Sequence, residues 1–320
     1  MKKNNFWSIF AQVFKTMKVT LNATENQVSI KSLIADFTAI TKARLALSVV
    51  FSSVAGYLLG FSAEHPFSWL TLFLLTIGGY CMVGASNVFN QIIEKDLDAL
   101  MNRTKNRPLP SGKISVRNAF ALGAALTVAG IAILYSINPK TAMFGAISIF
   151  LYTSVYTPLK RMTPLSVFVG AFPGAIPFML GWVAATNNFG IEAGTLFLVQ
   201  FFWQFPHFWA IGWFLYEDYE KAGFFMLPTS RKDKKTALQV ILYTVWLIIA
   251  SLLPATGFTG ELHINLISAV VVLLLGLWML ASAVKLYRDM DAKAARKLMI
   301  VSVSYISLLQ VIYVLDKFIF

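Results

Sequence analysis

The sequence predicts an all-α, polytopic membrane protein. Composition is the first reason: 57% of the 320 residues are hydrophobic and 13% charged, with a mean hydropathy of +0.67, far more apolar surface than a water-soluble domain of this length buries. The second is arrangement. Apolar residues gather into continuous runs of roughly 20, the length that crosses a bilayer core. They do not alternate with the two-residue period of a barrel strand. The third is the placement of the cations, which sorts the connections between runs into two classes.

Nine spans follow, at 45–62, 68–89, 117–137, 140–158, 165–186, 194–215, 236–255, 264–284 and 298–316. With the N-terminus inside, 25 of the 27 Lys and Arg residues fall in or beside inner segments, and Lys140 and Lys317 stand outside. One span more or fewer would scramble that split, so it supports both the count and the orientation. Topology also accounts for the net charge of +12 and leaves nothing for a nucleic-acid partner to explain; the lipid bilayer is the partner implied. The single Cys81 excludes an intrachain disulfide and any multi-cysteine metal site. Residues 1–40 carry Lys2 and Lys3 but no apolar core followed by a small-residue cleavage site, so they read as a cytoplasmic tail rather than a cleaved signal. Within it Phe6–Val19 mixes aromatics with lysines, as a membrane-surface segment or a simple tail would. Residues 41–320 then form the nine-helix domain.

Two inner connections, 90–116 and 216–235, are long and polar, whereas outer ones such as 63–67 and 187–193 are short. Long loops with their own chemistry are where function concentrates. In the first, Asn90, Glu94 and Asp98 stand four apart. On a helix they would share an arc of roughly 80° and spread over about 12 Å. Carboxylate and amide oxygens so placed suit Mg²⁺, which takes one or two carboxylates and completes its shell with water and phosphate oxygens. Asp96 falls on another face. Arg103, Lys105, Arg107 and Lys113 follow, and Pro108 to Gly112 makes a rigid turn. Arginine forks held rigidly bind phosphate bidentately. Acidic oxygens beside several cations are what a diphosphate requires; a solvated helix end is the plainer explanation of the same residues.

The second connection offers Asp218 and Lys221, three apart, with Tyr219 between them. Asp218 would hold a second ion and Lys221 a phosphate oxygen, or the two form an ordinary i,i+3 ion pair. Arg231, Lys232, Lys234 and Lys235 read as inside-positive anchors. The inner turn from Tyr156 to Pro164 adds Lys160 and Arg161 to the same side of the membrane. Glycines and prolines between Gly170 and Pro177 would break or kink the fifth span, or serve close helix packing. His207, in the sixth span, is an ionisable group at membrane depth among Trp203, Phe205, Phe208 and Trp209. It would face haem iron, a substrate carboxylate or a proton path, or be a neutral core residue. Its aromatic neighbours would line a prenyl tunnel and steady a carbocation, or simply pack. His65 and His263 lie outside the membrane.

The string NxxxExxxDxxMxRTxxRPLPSG from Asn90 to Gly112 resembles the first acidic motif of the UbiA-type intramembrane prenyltransferases, and within them the haem-directed branch. YTPLKRMTP at 156–164, GAxPGAIPxxxGW at 170–182, WQFPHFW at 203–209 and EDYEKAGFFMLP at 217–228 strengthen the likeness. Many members have Asp where this chain has Glu94, and quinone-directed relatives show a second DxxxD where Asp218 is followed by Lys221. The resemblance implies nine helices around a central cavity, with Mg²⁺ and diphosphate at the cytoplasmic mouth. Glu94, Asp98 and Asp218 would hold the metal, with Asn90 assisting. Arg103, Arg107, Lys160, Lys221 and Tyr156 would bind the donor, and His207 would lie near the acceptor. Farnesyl diphosphate would prenylate a vinyl carbon of haem B, and the product would feed haem A synthase or oxidase assembly proteins in a bacterial inner membrane. Another acceptor, such as a quinone precursor, keeps the same diphosphate site. A haem or lipid carrier explains the broken spans but not the charges at one mouth.

Overall fold

The computed structural model describes residues 30–320; the Phe6–Val19 segment lies outside them, as does most of the 1–40 tail. Among the described residues there are helices and loops and no strand. A short helix, α1 (Ile30–Ile40), precedes the first long one. The nine long helices are α2 (Ala43–Gly60), α3 (Trp69–Ile93), α5 (Val116–Ile137), α6 (Pro139–Leu159), α7 (Ser166–Thr186), α8 (Ile191–Phe214), α10 (Lys234–Ala255), α11 (Leu266–Asp289) and α12 (Ala292–Ile319). Two short helices, α4 (Lys95–Asp98) and α9 (Tyr216–Lys221), complete the set among the described residues. Each long helix coincides with one expected span within a few residues. Eight are long and apolar enough to cross a bilayer by those criteria alone. The ninth, α8, is less apolar because Gln200, Gln204 and His207 interrupt it, and Gln200 and Gln204 are buried against its neighbours.

Helix starts follow from local sequence. Ser68, Ser115, Asn138, Asp233, Asn265 and Asp291 each accept a hydrogen bond from a backbone N–H of the first turn they precede. Such caps satisfy donors that lipid cannot. The chain folds as a ring: α2 packs on α3 and α7, α3 on α5, α6 on α7, α7 on α8, α8 on α10 and α12, and α12 closes against α2. At the opposite end of the bundle from α4 and α9, Lys317 of α12 donates to the carbonyls of Leu59 and Phe61, capping the end of α2.

The prolines of the fifth span do not break it. Pro173 and Pro177 both sit inside the continuous helix α7. Pro177 has no N–H to offer the Pro173 carbonyl four residues earlier, and Ser148 of α6 supplies the missing donor at 3.4 Å. The glycines of α7 serve contact: a Cβ on Gly170 would meet the Tyr156 ring at 2.6 Å, and one on Gly181 would meet the Ser53 carbonyl oxygen of α2 at 2.0 Å. Small residues let backbones approach where lipid offers no hydrophobic drive to bring helices together.

Gly181→Ala is therefore expected to lower stability by about 1–3 kcal/mol, as overpacking against immovable backbone does. Gly194→Ala, which meets open space on α8, should leave the detergent-solubilised melting curve unchanged or shift it slightly upward.

Candidate functional site

Helix α3 ends at Glu94, where the backbone leaves helical values (φ −96, ψ 10) before the short turn of α4. The four-residue ladder nevertheless continues, since Glu94 N–H bonds Asn90 O at 2.9 Å and Asp98 N–H bonds Glu94 O at 2.7 Å. Asn90, Glu94 and Asp98 thus stay stacked although the helix does not run straight through them. All three are buried, Glu94 with 4% and Asp98 with 1% of its surface exposed, while Asp96 is exposed.

Each buried carboxylate has a cation. Lys160 Nζ lies 2.6 Å from Glu94 Oε1, and Arg107 donates to Asp98 Oδ2 at 2.7 Å. The first pair joins the end of α3 to the turn between α6 and α7. The second folds the 99–113 loop back on its own start, helped by Thr104 Oγ, which donates to the Asp98 carbonyl at 2.8 Å. Burial pulls the Lys160 ammonium down, but the Glu94 carboxylate more than offsets this and the group titrates above its ordinary value. Lys160 also lies over the rings of Tyr156 (4.7 Å) and Phe224 (5.5 Å). A π-helical segment, Leu151–Tyr156, precedes the last turn of α6 and presents Tyr152 and Tyr156 with their ring centroids 5.4 Å apart. Asn90 donates to Thr157 Oγ just beyond it.

Sequence reasoning placed Lys42 with the orientation charges and did not assign it here. It occupies the turn between α1 and α2 in the left-handed region (φ 49), and its ammonium donates to Asn90 Oδ1 at 3.3 Å. Burial, with the charges of Arg107 and Lys160, brings it down to about 7. Its position before the first span was a visible signal, but nothing in the sequence aimed it at Asn90. Thr157, Tyr152 and Phe224 were missed for the same reason.

Asp218 meets the same loop as Asp98, by a different contact. Its two oxygens accept the backbone N–H groups of Asn102 and Arg103, both at 3.2 Å, and Lys221 Nζ lies at 3.4 Å. Partial burial pushes the Asp218 carboxyl up, but those N–H donors outweigh it and hold the group below its usual range. Arg103 and Lys221 extend at the exposed rim, the Arg103 guanidinium 6.0 Å from the Tyr219 ring. The second loop also grips the turn that carries Lys160, because Phe225 N–H bonds the Lys160 carbonyl at 2.7 Å. His207 bonds Ser302 of α12 through Nδ1 at 2.8 Å and stacks on Trp203 at 4.4 Å, which leaves Nε2 as its open nitrogen.

Among the described residues no three His, Cys, Asp or Glu side chains gather as a self-sufficient metal cage. The site instead fits an ion that shares its shell with substrate. Asp98 Oδ1 is buried without a hydrogen-bond partner, and Glu94 stands one turn away. An uncompensated carboxylate oxygen in a buried site is an unmet demand for positive charge.

The sequence matches the model of the UbiA prenyltransferase family over residues 49–309. It is 70% identical over 298 residues to a protoheme IX farnesyltransferase of Flavobacterium johnsoniae, covering 93% of this chain and 99% of that one. A protein of the same name from Flavobacterium psychrophilum is 69% identical over 289 residues, 90% of this chain and 96% of the relative. Among solved structures, a UbiA homolog from Archaeoglobus fulgidus bound to GPP and Mg²⁺ superposes with a TM-score of 0.64 at 15% identity, covering 87% and 99% of the two chains. A digeranylgeranylglyceryl phosphate synthase structure gives 0.73 at 18%, covering 88% and 98%. At these identities the structures establish the shared fold.

Two outcomes test the site's electrostatics. Lys160→Met strands a buried carboxylate and should cost about 3–5 kcal/mol, most of which Lys160→Met with Glu94→Gln restores in thermal unfolding. Lys42 falls from 10.5 in the unfolded chain to about 7 in the fold, so between those values the unfolded state binds more protons and raising pH favours folding. Wild-type stability measured against Lys42→Met should therefore climb from pH 7 to pH 10; a flat difference counts against the assignment.

Proposed function

The chain belongs to the UbiA prenyltransferase family, and we propose that it transfers the farnesyl group of farnesyl diphosphate to a vinyl group of protohaem (haem B), giving haem O. The observation that carries the donor half is the pairing of buried carboxylates with buried cations at one mouth of the bundle, with Asp98 Oδ1 left over. Kinship at 70% identity carries the acceptor half.

The reaction breaks the bond between C1 of the donor and its diphosphate oxygen. The terminal carbon of the vinyl group bonds to C1, pyrophosphate departs, and the inner vinyl carbon takes a hydroxyl from water, which releases a proton. Negative charge growing on the leaving group is the main obstacle, and cations already in place are the main lever against it. Glu94 and Asp98, with Asn90 beside them, would hold Mg²⁺, which supplies positive charge to the diphosphate. Arg107 and Lys160 would turn from their carboxylates to phosphate oxygens, and Lys42 would bind from the α1–α2 turn. Arg103 and Lys221 would reach the diphosphate from the rim. For Asp218 to hold a second ion it would have to release the Asn102 and Arg103 N–H groups; in its present bonds it positions the Arg103 loop. The Tyr152 and Tyr156 rings would flank the allylic carbon and keep bulk water from it. His207, with Nδ1 engaged by Ser302 and Nε2 open, is the group we assign to the acceptor side.

We place the catalytic unit at 41–320, and residues 1–40 as an appended tail. The excess of Lys and Arg on one side supports a cytoplasmic N-terminus and mouth, and we assign the chain to a bacterial inner membrane. Haem A synthase or oxidase assembly proteins would receive the product.

Purified protein in lipid with protohaem, farnesyl diphosphate and Mg²⁺ should form haem O by mass spectrometry, and EDTA should stop it. Asp98→Asn should lose activity by at least about a hundredfold. A folded Asp98→Asn protein with full activity would remove Asp98 from the site.

A further inference from the structure

The helix faces that end in the charged cluster continue away from it along three helices, whose deeper ends bound a narrow cleft. On α3 the face of Asn90 and Glu94 runs on through Ser86 and Met82 to Gly79. On α6 the face of Tyr156 and Tyr152 runs to Ile149, Ser148 and Gly145. On α2 the face of Lys42 runs to Val49 and Ser53. The deeper members of all three faces line one cavity of about 40 Å³, together with residues of α7 and with Leu134 of α5.

Leu134 closes the end of this cleft farthest from the charges. It is fully buried, and a Cβ on Gly78 or on Gly145 would stand 2.8 Å from one of its methyl groups. The residue is thus wedged between two glycines on two helices and has nowhere to turn. Met82, also on the wall, is unbranched, with three rotatable bonds, and can swing aside to widen the cleft. The distance from the charges to Leu134 along the α3 face is informative. From Asn90 to Gly79 α3 rises through about 16 Å. An isoprene unit contributes four carbon–carbon bonds of about 1.5 Å along the chain, so three units extended span roughly 15 Å.

Resting on the assignment of prenyl transfer above, we infer that Leu134 is the stop that limits the donor to three isoprene units. A diphosphate held at Asn90, Glu94 and Lys160 sends its tail down the shared faces, and the third unit ends against Leu134. A fourth unit adds about 5 Å and meets a side chain that two glycines hold in place. Ser53, Ser86 and Ser148 along the way form no barrier. Ser86 bonds its own helix at Met82 O and Ser148 the Pro173 carbonyl, so those two hydroxyls are already engaged.

The test compares donors on one preparation, which cancels any inactive fraction. With protohaem as acceptor, kcat/KM is measured for farnesyl and geranylgeranyl diphosphate on wild type and Leu134→Ala in lipid nanodiscs. The geranylgeranyl-to-farnesyl ratio should rise about tenfold or more in Leu134→Ala, since removing a few methylenes from a pocket wall shifts discrimination by that order. Gly145→Ala, whose methyl would press on Leu134 Cδ1, should shift preference the other way, from farnesyl toward geranyl diphosphate. If Leu134→Ala fails to accumulate, Leu134→Val reads the same ratio with a smaller expected rise. A ratio unmoved by the Leu134 variant that folds, in an enzyme whose wild type transfers farnesyl, overturns the stop and leaves the reaction standing. A wild type that transfers no prenyl group to protohaem overturns both.

Discussion

Two buried ion pairs hold the charged mouth of this protein together, one joining segments far apart in the chain and the other closing a loop on its own start. Charges taken out of water are expensive, and attraction repays the expense only when geometry is good and remaining oxygens find partners. Glu94 and Lys160 meet at 2.6 Å and tie α3 to the α6–α7 turn. Asp98 and Arg107 meet at 2.7 Å and shape the loop that follows α4. In each pair a carboxylate fit to hold metal faces a cation fit to bind phosphate. In the proposed reaction these pairs would stand in for metal and diphosphate, and binding would exchange partners rather than bury new bare charge. That arrangement makes the cluster the keystone of this end of the bundle, and the proposed chemistry would begin at the same place.

The membrane imposes the second constraint. Helices in lipid gain little from hiding apolar faces, so close backbone approach and complete hydrogen bonding must do the work. Helix α7 shows both. Gly181 brings it onto α2, Gly170 onto the Tyr156 ring, and Ser148 serves the carbonyl that Pro177 leaves open. The Tyr156 ring set against Gly170 also lies beneath the Lys160 ammonium, so packing at α7 passes directly into the geometry of the charged cluster.

Much of this was legible in the residues. Apolar runs and the sorting of cations revealed nine spans, because both reflect one-dimensional rules that hold whatever the helices pack against. Asn90, Glu94 and Asp98 were legible because four-residue spacing survives even where α3 ends at Glu94. Three features were not. Lys42 looks like any inside-positive charge until the turn between α1 and α2 aims it at Asn90. The π-helical Leu151–Tyr156 has no marker in its composition. Asp218 carries the right chemistry for a metal ligand, yet backbone N–H groups more than a hundred residues away reach it first. For Lys42 and Asp218 the deciding partner is distant in sequence, and spacing alone says nothing of it.

The grip of Asp218 on the chain has an evolutionary corollary. It clasps the peptide groups of positions 102 and 103 rather than their side chains. The clasp itself therefore depends on no side chain at these positions, provided neither is proline, which has no N–H to give. The guanidinium of Arg103 takes no part in the clasp, so its identity would be open to selection by the anion of the proposed reaction while the clasp beneath it stays the same.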